Sequence, residues 1–353
     1  MNKIKVAVLG ATGMIGQRFV QLLEGHPYFE LAGLYASERS EGKRLGEALK
    51  IRDHTFKEES LDMRIETVDP VAIARSSRVA FSGLPSGVAK ETEAALAEEG
   101  VAVFSNASSH RMREDVPLLI PECNPDHLKL VQEQSTFGNG GFIVTNANCS
   151  TTGIALPLKV LDDAFGLDMA VVSTYQAISG AGYPGVPSLD IMGNVIPFIG
   201  GEEEKMETEL AKVMGTIQEG RVVASPVQML VNCARVPVID GHLESLVLRM
   251  DKDPSTEDVI KMLGEFRGEP QRLGLPSAPL QPIITRSEDD RPQPSLDAYA
   301  GEPARARGMS VVVGRVRKKD NYIKMFVLSH NTLRGGAGGS VLNAELAVSR
   351  QIL

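Results

Sequence analysis

The sequence predicts an α/β protein in two parts: a doubly wound parallel sheet, followed by an α+β domain built on a mixed sheet. Two observations carry the first part. Short apolar strands alternate with helical patterns through the first 150 residues, and a glycine-rich turn joins the first strand to the first helix. A third carries the second part: past residue 149 the strands lengthen, gain β-branched residues and have few helices between them.

The first strand covers 5–9 and a helical pattern runs through 19–23, with Gly10-Ala11-Thr12-Gly13-Met14-Ile15-Gly16 between them. Glycines at a strand-to-helix turn let the backbone approach a pyrophosphate, whose charge then rests on the helix N-terminus. The spacing is G-x-x-G-x-x-G, with Thr12 where the usual dinucleotide fingerprint has its second glycine. Dinucleotide binding is expected here in preference to a plain tight turn. The next strand, 29–35, leads into Ala36-Ser37-Glu38-Arg39-Ser40-Glu41-Gly42-Lys43. Ser37, Arg39 and Ser40 suit the 2′-phosphate of NADP, whereas Glu38 and Glu41 lean towards NAD; NADP is the expected cofactor. Further strands follow at 63–68, 78–82, 101–105 and 142–145, with a helix over 87–99.

Asn148-Cys149-Ser150-Thr151-Thr152-Gly153 then separates an apolar strand at 141–145 from a helical run at 154–161. A cysteine that leaves a strand and opens a helix sits among unpaired N–H groups at the positive end of the helix dipole, which favours thiolate over thiol. Cys149 therefore reads as a nucleophile, the alternative being a small buried residue at a strand end. Cys123 and Cys233 neither open a helix nor have an obvious cationic neighbour, and read as inert.

The second part has strands at 169–178, 227–238, 241–250, 309–316 and 322–329, a mixed sheet whose uncovered face could form an oligomer interface. The proline-rich, charged stretch 268–303 reads as an extended excursion, and a helix at 340–352 follows the glycine-rich 334–339. Four polar clusters stand in this half. Gln176 ends a strand ahead of Ser179-Gly180-Ala181-Gly182, whose glycines permit close approach of a ligand. Glu202 and Lys205 lie three residues apart on one helix face, a spacing that by itself describes a solvated pair. Arg235, inside an apolar run, needs an anion, which a substrate carboxylate or an internal salt bridge would supply equally well. His242 begins the next strand, with a side chain suited to proton transfer near neutral pH.

Thirty-seven Lys+Arg against 45 Asp+Glu give a net charge of −8, no electrostatic footprint for nucleic acid. Three cysteines without metal-type spacing point to a reducing compartment, with no disulfide framework and no metal. No signal-like segment or membrane-length apolar run is present, so a soluble cytoplasmic protein with no membrane partner is expected.

Taken together, GATGMIGQRF at 10–19, SERSEGK at 37–43, FSGLPSG at 81–87, SNASSHRM at 105–112, NANCSTTG at 146–153, STYQAISGAG at 173–182, GEEEKMETE at 201–209, the Arg235/His242 pair and HNTLRGGAGGSVLNAE at 330–345 give the chain a likeness from end to end. It resembles the aspartate-β-semialdehyde dehydrogenases of the archaeal and fungal branch. The resemblance implies a Rossmann-type NADP-binding domain over 1–148 completed by a C-terminal helix over 331–353, with a catalytic and dimerisation domain over 149–330, in a homodimer or homotetramer. It implies Cys149 as acyl-thioester nucleophile, His242 as general acid/base and Gln176 as the residue that orients the hemithioacetal. Arg235 would bind the substrate α-carboxylate and Glu202 its ammonium, although three successive acids, Glu202, Glu203 and Glu204, leave that carboxylate open by one residue. Arg111 and Lys205 would hold phosphate. NADP would contact Gly10, Thr12, Gly13, Met14, Ile15 and Gly16, then Ser37, Arg39, Ser40, Ser179, Gly180 and Asn331.

The implied reaction oxidises aspartate semialdehyde with NADP and joins it to inorganic phosphate as aspartyl-β-phosphate, reversibly, and serves lysine, threonine and methionine biosynthesis in the reductive direction. A malonyl-CoA reductase on the same scaffold would share the thioester but need no phosphate site. An acetylglutamyl-phosphate reductase fits the motifs less well, and a non-catalytic NADP-binding sensor would not need Cys149, Gln176, Arg235 and His242 intact.

Overall fold

The computed structural model describes residues 2–353. Its first sheet holds β1 (Ile4–Leu9), β2 (Phe29–Ala36), β3 (Ile65–Thr67), β4 (Val79–Ser82), β5 (Ala102–Ser105), β6 (Leu118–Leu119) and β7 (Phe142–Asn146), in the order β3-β2-β1-β4-β5-β7-β6. Every neighbouring pair is parallel. Helices α1 (Met14–Leu23), α2 (Glu58–Asp62), α3 (Pro70–Ser76) and α4 (Ser86–Glu98) lie between the strands. Side chains alternate across a strand, so β1 feeds two cores. Val6 and Val8 pack with Phe19 and Val20 of α1 and with Val341 and Leu342 of the C-terminal helix, while Ala7 and Leu9 pack with Ile73 of α3 and Leu96 of α4. Helices on both faces explain why the strand reads as an unbroken apolar run.

The later helices are α5 (Cys149–Phe165), α6 (Ser188–Ile191), α7 (Glu202–Val213), α8 (Thr256–Glu265), α9 (Glu269–Leu273), α10 (Pro294–Asp297) and α11 (Gly338–Ser349). The later strands are β8 (Leu167–Gln176), the hairpin β9 (Thr216–Gln218) and β10 (Arg221–Val223), then β11 (Gln228–Arg235), β12 (His242–Met250), β13 (Ile283–Arg286), β14 (Val311–Lys319) and β15 (Tyr322–Ser329). Six of them form a sheet ordered β11-β8-β12-β15-β14-β13, parallel at its two outer pairs and antiparallel within. Helices α5, α7 and α8 pack against this sheet. Large apolar side chains remain exposed on it, Tyr175 at 39% and Leu230 at 44%.

Register brings three of the expected site residues to one end of this sheet. Arg235 pairs with Gln176 in parallel, and β12 runs antiparallel to β8 from Leu243 opposite Tyr175, which puts His242 beside them.

The structure departs from the sequence reading in three places. Stretch 268–303 is more than an excursion: it contributes α9, α10 and the edge strand β13, whose Ile283 is fully buried. Four residues carry too short a pattern to announce a strand whose partner, β14, comes 28 positions later at Ile283↔Val311. β6, two residues long, was equally silent. The last helix begins at Gly338, two residues early, because its glycines and a preceding turn at Leu333–Ala337 are packed tightly instead of forming a loop. A Cβ on Gly335 would sit 2.8 Å from Cys149 Cα. No helix among the described residues is long and apolar enough to cross a membrane.

Candidate active site

The glycine turn is built for close approach. Gly10 has φ +71°, and a Cβ there would lie 2.6 Å from the Gly83 carbonyl oxygen; one on Gly16 would lie 2.1 Å from the Gly10 carbonyl oxygen. No side chain caps α1, whose first N–H groups are thus available to an anion. A cavity of ≈540 Å³ runs from Gly10, Thr12 and Gly13 past Ser37 and Glu38 to Thr92. A second, of ≈570 Å³, shares Gly13 and the Gly83–Pro85 wall, and continues over Met14, Ile15 and Asn331 to Ser179, Gly180, Arg111 and Cys149. The two cavities share the wall of Gly13 and Gly83–Pro85, and the second reaches the thiol. Arg39 and Ser40 are on the short turn Glu38–Ser40 after β2 and do not line either cavity. Gly16 lies behind the turn as a packing residue.

At the cleft's inner end, Asn148 caps α5: its Oδ1 accepts from the Ser150 and Thr151 amides at 2.9 and 3.3 Å, so Cys149 is the first helical residue. Cys149 Sγ is 3.2 Å from His242 Nε2. The Ala177 amide donates to His242 Nδ1 at 3.0 Å. A backbone N–H can only donate, so in the neutral ring Nδ1 is the acceptor and the proton sits on Nε2, facing the sulfur. Arg235 donates through Nη1 to the Ala177 carbonyl at 2.8 Å. One residue, Ala177, therefore holds both the imidazole and the guanidinium. Arg235 is only 6% exposed and has no carboxylate within ion-pair distance among the described residues. The internal salt bridge that the sequence left open is not formed.

Helix α7 presents Glu202, Glu209 and Lys212 along one stripe. Glu202 accepts from Asn148 Nδ2 at 2.9 Å and from Gln176 Nε2 at 3.1 Å, whereas Glu203 turns away to the Cys233 amide at 2.9 Å. The ambiguity among the successive acids resolves to Glu202 as the one facing the thiol's turn. Glu209 accepts from Arg111 Nη1 at 2.8 Å and from the Asn148 amide at 2.6 Å. Arg111 also donates to the Asn106 carbonyl at 2.7 Å, leaving Nε without a protein partner. Lys212 Nζ donates to the carbonyls of Arg111, Arg113 and Val116 at 2.7, 2.7 and 2.9 Å. Lys205 is exposed and does not line the cleft; the structure brings Arg111, not Lys205, to the cavity that holds Cys149. Asn331 closes the other side, donating to Ser179 Oγ at 2.7 Å and accepting from the Gly241 amide at 2.9 Å. Behind it, Arg334 and Glu122 form a buried bidentate pair at 2.8 Å that fixes the turn against Cys149.

Sequence reasoning missed Asn148, Glu209, Lys212 and the Ala177 amide. The 3-4-3 spacing of residues 202, 205, 209 and 212 was a usable signal for the helix-borne Glu209 and Lys212; a backbone amide leaves none.

Burial dominates the electrostatics. It pushes the Cys149 thiol up to about 12, with Glu202 adding to the rise and Arg111 and Arg235 opposing it. The helix terminus favours thiolate, as the sequence implied, and desolvation opposes it. Burial, then Arg235 and His330, lowers His242 to about 3. Arg235 is itself lowered by burial, against the pull of Cys149 and Glu202. The arrangement sets a thiol against an imidazole, beside a guanidinium that has no carboxylate partner among the described residues.

Family models match both halves of the chain: "Semialdehyde dehydrogenase, NAD binding domain" over residues 5–131 and "Semialdehyde dehydrogenase, dimerisation domain" over residues 158–334. This chain belongs to the semialdehyde dehydrogenase family. Within that family it is 47% identical over 348 residues to the aspartate-semialdehyde dehydrogenase of Methanothermobacter thermautotrophicus, covering 97% of this chain and 98% of that one. The Archaeoglobus fulgidus aspartate-semialdehyde dehydrogenase is 46% identical over 354 residues, covering 99% and 100%. Among solved structures, the aspartate semialdehyde dehydrogenase with NADP from Candida albicans superposes with a TM-score of 0.89 at 40% identity, covering both chains fully.

Proposed function

We propose that this semialdehyde dehydrogenase catalyses the reversible, NADP-dependent reductive dephosphorylation of aspartyl-β-phosphate to aspartate-β-semialdehyde, through an acyl-thioester on Cys149. The observation that carries the reading is the buried Arg235 guanidinium, unpaired and sharing Ala177 with the imidazole that faces the thiol. Full-length relatives at 46–47% identity named aspartate-semialdehyde dehydrogenase favour it over malonyl-CoA reduction or a non-catalytic role.

Arg235 grips the α-carboxylate with the donors that Ala177 leaves free, and Glu202 takes the ammonium. Cys149 adds through sulfur to the acyl carbonyl, its thiol proton leaves with the phosphate as the acyl C–O bond breaks, and a thioester remains on sulfur. Arg111, with Lys205 nearer solvent, holds the departing phosphate. NADPH, when bound along the glycine turn, Ser37 and Asn331, supplies the hydride for reduction; Arg39 and Ser40 are proposed contacts to its 2′-phosphate. His242 is the general acid/base: its Nε2 proton stabilises oxygen charge on the tetrahedral adduct at Cys149, whose collapse releases the aldehyde and restores the thiolate. Gln176, bonded to Glu202, orients the adduct.

The proposed division of labour assigns cofactor binding to residues 1–148 with 331–353, and chemistry to 149–330. The packing of α11 on α1, β5 and β7 supports it. A homodimer, or a homotetramer of such pairs, is proposed from the exposed Tyr175 and Leu230 on the second sheet and from the dimerisation-domain match. The test is turnover with aspartate semialdehyde, phosphate and NADP, set against malonyl-CoA with NADPH. Activity on malonyl-CoA alone, or on neither, overturns the reading.

A further inference from the structure

His242 and Glu244 alternate on β12 and so point to the same side of the sheet, towards the first turns of α5. Glu244 has no exposed surface, and neither carboxyl oxygen has a hydrogen-bond partner. The hydroxyls of Ser150, Thr151 and Ser329 are likewise buried without partners. They belong to one place. Ser329 pairs with His242 across β12 and β15, Ser150 and Thr151 follow the nucleophile, and Ser150 faces the Glu244 carboxyl. A Cβ on Gly153 would lie 2.5 Å from Ser329 Oγ and 3.2 Å from Glu244 Oε2, so the bare glycine opens the space in which acid and hydroxyl meet.

The neighbours offer no positive charge. Glu244 makes no ion pair among the described residues, and the charged group that bears on it is Glu202 from α7, of the same sign. From its own strand comes His242, which burial keeps neutral; from β8, Thr174 lies opposite; from β15, Val327 and Ser329. An ionised carboxylate there would have only acceptors of its own to offer and no cation to answer it, a state that buried acids escape by keeping their proton.

We infer that Glu244 is a positioning residue for Cys149: a neutral carboxylic acid whose O–H donates to one of the Ser150 and Ser329 hydroxyls and whose C=O accepts from the other, beneath the first turn of α5. The neutral form does two things. It supplies the donor that a carboxylate lacks, and it keeps a second negative charge, beside that of Glu202, from the underside of the thiolate. Burial and Glu202 hold the Glu244 carboxyl well above the ordinary range, against the Ser150 contact.

The inference rests on Cys149 as nucleophile, and that reading fails separately, by turnover surviving C149S. Two measurements test the inference itself. Infrared spectra of the wild type at pH 7 should contain the carbonyl stretch of a protonated buried acid, missing from E244Q. The rate of Cys149 alkylation by iodoacetamide between about pH 6 and 9 should be the same at each pH in E244Q as in the wild type, one neutral group having replaced another. Removal of a charge would instead speed alkylation roughly tenfold or more at a fixed pH. That result, or a wild type without the infrared band, overturns the inference. E244L, which keeps bulk but has no donor, should lower kcat about tenfold further than E244Q; equal kcat in the two variants removes the positioning role. Should E244Q not fold, the wild-type band and its displacement in E244D still decide the protonation state.

Discussion

Arg235→Lys keeps the positive charge and removes the fork, which makes it the sharpest probe of the proposed carboxylate clamp. In the structure Nη1 is spent on the Ala177 carbonyl at 2.8 Å, leaving Nη2 and Nε as a planar pair for two carboxylate oxygens. A lysine can satisfy the carbonyl or the substrate with its single nitrogen, but not both in that geometry. Losing one hydrogen bond to a charged group costs about 1.5–3 kcal/mol, which is a factor of roughly 10–150 in affinity. The damage does not stop at binding, because the amide of the same Ala177 holds His242 Nδ1 at 3.0 Å. Misplacement of the reacting groups by about 1 Å costs roughly 100-fold in rate. Arg235→Lys should therefore raise KM for aspartate semialdehyde at least about tenfold and lower kcat as well, with NADP affinity unchanged. The assay is NADPH formation at saturating NADP and phosphate, with cofactor binding followed by fluorescence. Wild-type kinetics in this variant would refute both the clamp and its coupling to the imidazole.

Cys149→Ser should bind NADP but lose nearly all turnover, and mass spectrometry of the wild type with aspartyl phosphate should place an acyl adduct on the Cys149 peptide; an adduct on Cys123 or Cys233 contradicts the assignment. His242→Asn can keep an acceptor for the Ala177 amide while withdrawing the group facing sulfur, so kcat should fall about 10²–10⁴-fold with a smaller change in KM. Arg39→Ala should weaken NADP selectively over NAD, and equal losses with both cofactors would remove Arg39 from the 2′-phosphate site. Because burial lowers His242 to about 3, the imidazole stays neutral at every pH above that, and because Cys149 is raised to about 12, thiolate grows with each pH unit below it. Alkylation of Cys149 in the free enzyme should then climb steadily from about pH 6 to 9; a plateau governed by a group near 6.5 would show a thiolate–imidazolium pair instead.

Much of the fold was legible because its signals are local. The apolar run of β1, the glycines of the following turn and the cysteine at the head of α5 all lie within a few residues of the features they predict. β13 and β6 were not, since their existence depends on partners far away in sequence. The site divides in the same way. Cys149 stood out at the junction of a strand and a helix, Gln176, Arg235 and His242 as polar residues on or beside strands, and the sheet register assembles the last three. What holds them together was hidden: Ala177 acts through its backbone, and Glu209 and Asn148 matter only once α7 is laid across the start of α5. The opposing pull on the Cys149 thiol was hidden for a related reason, because a helix terminus is visible in sequence and burial is not.

Lys212 has a mechanical consequence. Its ammonium gathers three carbonyls from segment 111–116, a stretch that by chain order precedes β6 and β7 and so counts with the first sheet. Pulling the segment from α7 would strand all three acceptors and an ammonium at once. By these contacts Arg111 is tied to α7 and not to the glycine turn. The packing boundary here therefore cuts across chain order, and a fragment ending at residue 148 would carry segment 111–116 without the anchor that shapes it.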